Sequence, residues 1–196
     1  NSDCNPFIDL YENVLLPSES WKNYNLVGIS IVGISQILPG LTLARLLKEK
    51  YPHLHITLGG PIFSVNTKQL MGHPEFFQEF CHSVITFEGE EPLNRLLTAL
   101  KNGSTLKSVP NLLFCEDGKV ESNEERVELR FEELPAPIFD GLPMDLYLSP
   151  YPIIPVLQSR GCYWGKCTFC THSYIYGHRY GKQRTEQMVD ELESLA

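Results

Sequence analysis

From Leu26 to Val32 the chain reads Leu-Val-Gly-Ile-Ser-Ile-Val, a β-branched run that is apolar at nearly every position. A strand with one wet face alternates in polarity, whereas a uniformly apolar one suits a parallel strand covered on both faces. The residues after it repeat that theme. Pro39 opens a helix carrying Leu41, Leu43, Ala44, Leu46 and Leu47, with Lys48 and Lys50 in its last turn and Pro52 beyond its end. A second strand, His55 to Leu58, runs into Gly59-Gly60-Pro61. A helical stretch with Leu70, Phe76, Phe77 and Phe80 leads to a third strand, Ser83 to Phe87. Pro92 then begins a helix through Arg95, Leu96, Leu97 and Leu100, and Gly103 is its C-cap. Strand and helix alternating at this spacing predict a parallel sheet with helices on both faces and right-handed crossovers.

The expected fold of this region is a Rossmann-like α/β layer. After it, Leu112, Leu113 and Phe114 lead to Glu116-Asp117-Gly118-Lys119, whose Asp-Gly pair signals a hairpin at the sheet edge or appended to it. An acidic segment, Glu121 to Glu133, is followed by Pro135, Pro137, Pro143, Pro150, Pro152 and Pro155, a composition that marks an extended connection. Past it, Ile153 to Gln158 reads as a short apolar strand. Thr185 caps a helix with Met188, Val189, Leu192 and Leu195 on one stripe. The expected organisation is an irregular segment at 1–23, the sheet domain with its hairpin at 24–133, a proline-rich linker at 134–152, and one βα unit of a further domain at 153–196. The stripe of the last helix has no partner elements in the sequence, so the chain is expected to be a piece of a longer polypeptide.

The chain has 196 residues, 42% hydrophobic, enough for a substantial core. Its net charge of −8 argues against a nucleic-acid surface, which would concentrate Lys and Arg. The short basic cluster of Arg179, Lys182 and Arg184 reads as a solvated loop. No run of apolar residues is long enough for a membrane span and no leader is readable at the start, so a cytoplasmic protein is expected.

Between Arg160 and Cys170 the chain reads Arg-Gly-Cys-Tyr-Trp-Gly-Lys-Cys-Thr-Phe-Cys, placing three thiols within nine residues. Thiolates are soft ligands for zinc or an iron-sulfur cluster, and the two-residue gap lets one tight turn aim two sulfurs at one centre. Gly161 and Gly165 supply the backbone freedom for such turns. Structural zinc usually takes four protein ligands, whereas a [4Fe-4S] cube can be held by three cysteines with one iron left open. With His172 two residues after Cys170, a Cys3His zinc module is the alternative. Cys4, Cys81 and Cys115 are scattered and read as reduced cysteines rather than a disulfide framework.

This loop resembles that of radical S-adenosylmethionine enzymes, in which two closely spaced gaps separate three cysteines, an aromatic precedes the last, and the loop follows the first strand of a TIM-type barrel. This chain has four residues, Tyr163 to Lys166, where three are usual. The resemblance implies that Cys162, Cys167 and Cys170 ligate three irons of a [4Fe-4S] cluster and that Phe169 lies against the adenine of S-adenosylmethionine. It implies one-electron cleavage of S-adenosylmethionine to methionine and a 5′-deoxyadenosyl radical that abstracts hydrogen from substrate. An external electron donor and a small-molecule or peptide substrate follow as partners.

Open parallel sheets bind ligands outside the carboxyl ends of their strands. Here Ser30-Ile31-Val32 precedes Gly59-Gly60 by 26 residues. That pattern resembles the cobalamin-binding domain found upstream of many radical S-adenosylmethionine barrels, and Gly89-Glu90-Glu91 matches a usual turn of it. Val32 stands where Leu is usual, and no Asp-x-His-x-x-Gly occurs. The resemblance implies cobalamin at Ser30, Gly59 and Gly60; a ligand-free sheet whose helix packs tightly is the alternative. His53, His55, His73 and His82 read as surface or turn histidines, and Glu88, Glu90 and Glu91 as charge complementing a helix N-terminus. No catalytic acid or base is assigned.

Overall fold

The computed structural model describes residues 5–123, 127 and 130–195, in two compact units, Asn1–Val127 and Glu128–Ala196. The first begins with Phe7–Leu10 (α1), which widens into a π-helical turn at Tyr11–Leu15. Its orphan C-terminal carbonyls are satisfied from outside: Trp21 Nε1 donates to Leu15 O (3.0 Å) and the Tyr51 hydroxyl to Leu16 O (2.6 Å). Leu16 is buried, while Leu10 and Val14 remain exposed.

Leu26–Ser30 (β1) pairs in parallel with His55–Gly59 (β2), which pairs in parallel with Ser83–Ile85 (β3). Leu112–Glu116 (β4) runs antiparallel beside β3, and Lys119–Ser122 (β5) completes the order β1-β2-β3-β4-β5. Between them lie Ile37–Lys50 (α2), Pro61–Val65 (α3), Thr67–Met71 (α4), Pro74–Glu79 (α5) and Glu90–Asn102 (α6). Ala44, Leu47, Phe63, Leu70 and Phe77 from α2 to α5 pack on one face of the sheet with Ile56, Leu58 and Val84. Leu96 and Ala99 of α6 pack on the other with Ile85, Leu112 and Phe114. Consecutive strand residues feed opposite cores, as the pleat requires. Asp117 and Gly118 both have positive φ, 49° and 76°, the requirement of the hairpin turn that their sequence signals. Gly103 is left-handed at the end of α6, as expected of a C-cap.

Several boundaries shift for physical reasons. The helix expected from Pro39 starts at Ile37, because a proline in the first turn lacks an N–H that has no helical partner anyway. The expected double coverage of Leu26 to Val32 is partial: Val27, Ile29 and Ile31 pack on one core and Leu26 on the other, but Gly28 and Ser30 are exposed and Val32 is 63% exposed. The third strand ends at Ile85, not Phe87, since Phe87 turns left-handed and gives its N–H to Ser64 Oγ.

Two histidines read as surface or turn residues are in fact half-buried hydrogen-bond partners. The Ser83 hydroxyl donates to Thr57 Oγ1 (3.0 Å) and accepts from His55 Nε2 (2.8 Å), while Ile56 N–H donates to His82 Nδ1 (2.9 Å). The two rings lie 5.1 Å apart. Burial, reinforced by His82 and Lys48, pushes the His55 imidazole down to about 4. The unfolded chain protonates this group near pH 6.5 and the native state does not. Stability present above pH 6.5 is therefore lost as pH falls toward 4, by up to about 3 kcal/mol. Chemical unfolding from pH 7 to 4 should show this slope, and His55→Gln should flatten it.

In the second unit the expected strand Ile153 to Gln158 is absent. Those residues carry no regular element, and Ile153 and Leu157 are exposed. Pro155 offers no N–H to a ladder, and no parallel neighbour lies beside the segment among the described residues. Instead Ser159–Gly161 (β6) pairs antiparallel with Tyr180–Lys182 (β7). Between them is the short His172–Ile175 (α7), and Thr185–Leu195 (α8) follows. Val189 and Leu192 of α8 are half exposed, while its Glu191 is buried and accepts from Gln183 Nε2 (2.9 Å). A closed barrel is not formed by the described residues. No described helix is long and apolar enough to cross a membrane.

Candidate functional site

In the first unit the candidate residues gather where the parallel strands end. Ser30 and Gly59 are register partners, the last residues of β1 and β2. Gly60 follows with φ 111° and ψ 165°, a conformation essentially reserved for glycine. A Cβ there would lie 2.8 Å from the backbone carbon of Ile31, so the chain itself forbids a side chain at this position. Gly59 differs. A Cβ there would meet only Ile85 O at 3.6 Å, an ordinary contact, and its φ is not positive. Glycine in a strand sacrifices about 0.5–1 kcal/mol relative to alanine. Packing does not require that sacrifice at Gly59, whose backbone lies beside exposed Ser30.

Signals at the neighbouring turn were not legible in the sequence. Phe87 is left-handed, φ 60°, at the carboxyl end of β3, and is held by Ser64 Oγ, which accepts its N–H at 2.7 Å. Asn111, also left-handed at φ 54°, donates through Nδ2 to the carbonyls of Glu88 (3.1 Å) and Val127 (3.2 Å). Asn after Pro110 hints at a turn; nothing marks Ser64, a serine within an apolar helix.

In the second unit Cys162, Cys167 and Cys170 are free thiols on the segment after β6. Cys162 is half-buried and its sulfur accepts the N–H of Gly165 at 3.4 Å; Cys167 and Cys170 are exposed, joined by a turn in which Cys170 N–H donates to Cys167 O (3.3 Å). Gly165 sits at φ 61°, and a Cβ would press on Ser173 Oγ at 2.9 Å. Phe169 is 88% exposed beside them. Among the described residues no three His, Cys, Asp or Glu side chains are gathered closely enough to hold a metal ion. The donor set nevertheless suits an iron-sulfur cluster: soft sulfurs on one short loop, one already receiving an amide N–H of the kind that tunes cluster thiolates. His172, the fourth ligand in the zinc alternative, is turned elsewhere, its Nε2 3.2 Å from Gly161 O and its ring edge-on to Tyr176. Cys4 lies outside the described residues, as does part of the acidic stretch between Glu121 and Glu133.

The cysteines differ sharply in exposure. Burial pushes the Cys81 thiol up to about 12, and it is 0% exposed. Iodoacetamide applied to cluster-free native protein should label Cys167 and Cys170 at least about a hundredfold faster than Cys81, measured by peptide mass spectrometry.

No family model matches the chain. It is 31% identical over 176 residues to an uncharacterized methyltransferase of Pyrococcus horikoshii, across 87% of this chain and 36% of that protein. Among solved structures it is similar to the cobalamin-dependent S-adenosylmethionine radical enzyme OxsB with aqua-cobalamin and S-adenosylmethionine bound, at TM-score 0.69 and 21% identity over 97% of this chain and 25% of that one. It is also similar to the radical S-adenosylmethionine methyltransferase TsrM from Kitasatospora setae with cobalamin and a [4Fe-4S] cluster bound, at TM-score 0.59 and 20% identity over 99% of this chain and 38% of that one. The chain spans about a third of the length of the curated relatives it matches. The expected fold therefore holds: the chain has the Rossmann-like fold found in cobalamin-dependent S-adenosylmethionine radical enzymes, and it is similar in sequence to methyltransferases.

Proposed function

We propose that this chain forms part of a cobalamin-dependent radical S-adenosylmethionine methyltransferase. The observation that carries the reading is the trio of free thiols on one loop, Cys162, Cys167 and Cys170, with no fourth cysteine in that loop. Three thiolates satisfy three corners of a [4Fe-4S] cube and leave the last iron for a small molecule. When bound, such a cluster supplies a single electron and an open coordination position for S-adenosylmethionine.

The chain's own residues do the holding and the shaping. Cys162, Cys167 and Cys170 provide the ligands, and the Gly165 N–H draws negative charge from the Cys162 sulfur. Phe169, free of any packing role, offers an aromatic face to the adenine. Ser30 and the bare backbone of Gly59 form the surface for cobalamin, whose broad ring demands close backbone approach. Methyl transfer is favoured by the methyltransferases to which the chain is similar. The substrate is a small molecule or peptide, and an external donor supplies electrons.

Full-length protein reduced without air should consume S-adenosylmethionine and release methionine or S-adenosylhomocysteine, followed by liquid chromatography and mass spectrometry. Unchanged S-adenosylmethionine in the presence of an intact cluster would overturn the proposal.

A further inference from the structure

Phe87 and Asn111 are left-handed without being glycine, and they are bonded into one knot. The N–H and hydroxyl of Thr86 both donate to Asn111 O, at 2.9 and 3.1 Å, and Asn111 Nδ2 returns a bond to Glu88 O at 3.1 Å. Phe87 N–H, between them, goes to Ser64 Oγ at 2.7 Å. Ser64 is 1% exposed and Asn111 5% exposed, so neither bond competes with bulk water. Asn111 Oδ1 is buried with no hydrogen-bond partner among the described residues, and its Nδ2 makes two donor bonds.

The placement gives the knot its meaning. Ser64 belongs to α3, which starts immediately after Gly60, while Phe87 belongs to the turn between β3 and α6. One hydroxyl thus ties the helix that follows β2 to the turn leaving β3. Gly59, the last residue of β2, lies beside the end of β3, its Cβ position 3.6 Å from Ile85 O. A non-glycine residue in a sparsely populated backbone region persists only where its surroundings over-determine it, and such places cluster at ligand sites.

We infer that Ser64 and Asn111 are positioning residues that lock the Thr86–Gly89 turn against the Gly59 rim and so shape the cobalamin surface. This rests on the cobalamin reading. The test is hydroxocobalamin titration of full-length protein, comparing wild type with Ser64→Ala and Asn111→Gly. Glycine keeps the left-handed backbone at 111 but lacks the amide. Both variants should bind about tenfold more weakly or worse, the loss of one buried bond to a strained turn. Leu47→Val, a core truncation on α2, supplies a stability-matched control: its melting temperature falls while its affinity stays at the wild-type value. Wild-type affinity in both turn variants would overturn the positioning role alone. Absence of binding by wild type would overturn the cobalamin reading, and this role with it.

Discussion

Gly60→Ala should lower the melting temperature by about 10 °C, while its neighbour Gly59→Ala leaves it unchanged or slightly raised. The two glycines are adjacent and look alike in sequence, but their backbones differ. At Gly60 the φ of 111° and the approach to Ile31 leave no room for any Cβ, so substitution must move β1 or α3 at a cost of about 3 kcal/mol or more. At Gly59 the added methyl meets one carbonyl oxygen at ordinary distance and removes a strand glycine. The ligand result runs differently. On the proposed cobalamin reading, Gly59→Ala should weaken hydroxocobalamin binding at least about tenfold in a stably folded protein, because the added methyl would stand on the surface the ring approaches. Thermal unfolding followed by circular dichroism and a titration on the same preparations check both halves. A Gly59→Ala protein that binds normally would remove Gly59 from the cobalamin surface.

Replacing Cys162, Cys167 or Cys170 singly by alanine should reduce iron and sulfide in anaerobically reconstituted protein to background and abolish consumption of S-adenosylmethionine. Two sulfurs cannot hold the cube in water, so each loss is expected to be complete rather than graded. Cys81→Ala and Cys115→Ala should retain full iron content, since both lie in the first unit, Cys81 within its apolar core. The cysteine loop is largely exposed, so the three alanine variants should keep the wild-type melting transition of the first unit. Iron analysis, visible absorption and calorimetry on one set of samples separate lost cluster from lost fold.

The sheet was legible because its strands and helices obey local rules. Leu26 to Ser30, His55 to Gly59 and the Asp117-Gly118 turn declare themselves by apolar runs and turn chemistry that tertiary structure did not override. What escaped was set by contacts distant in sequence. Edge exposure of β1 depends on which strands pair, and the burial of His55 depends on Ser83 and His82 coming alongside. The mistaken strand at Ile153 to Gln158 shows the limit of an apolar run as a signal: proline and the lack of a neighbouring ladder leave it irregular, and the pairing falls instead on Ser159–Gly161. The candidate site divides in the same way. Cysteine spacing and Gly-Gly are written in the chain, whereas Ser64 and Asn111 acquire a role only when α3 and the β3–α6 turn meet.

Electron paramagnetic resonance of the reconstituted, dithionite-reduced full-length protein, recorded with and without S-adenosylmethionine, probes the open corner of the cube directly. A reduced [4Fe-4S] signal that shifts when S-adenosylmethionine is added, and vanishes in the Cys→Ala variants, is expected. Stoichiometric zinc with no such signal, or a cluster spectrum indifferent to S-adenosylmethionine, would contradict the assignment of Cys162, Cys167 and Cys170 to a three-cysteine cluster.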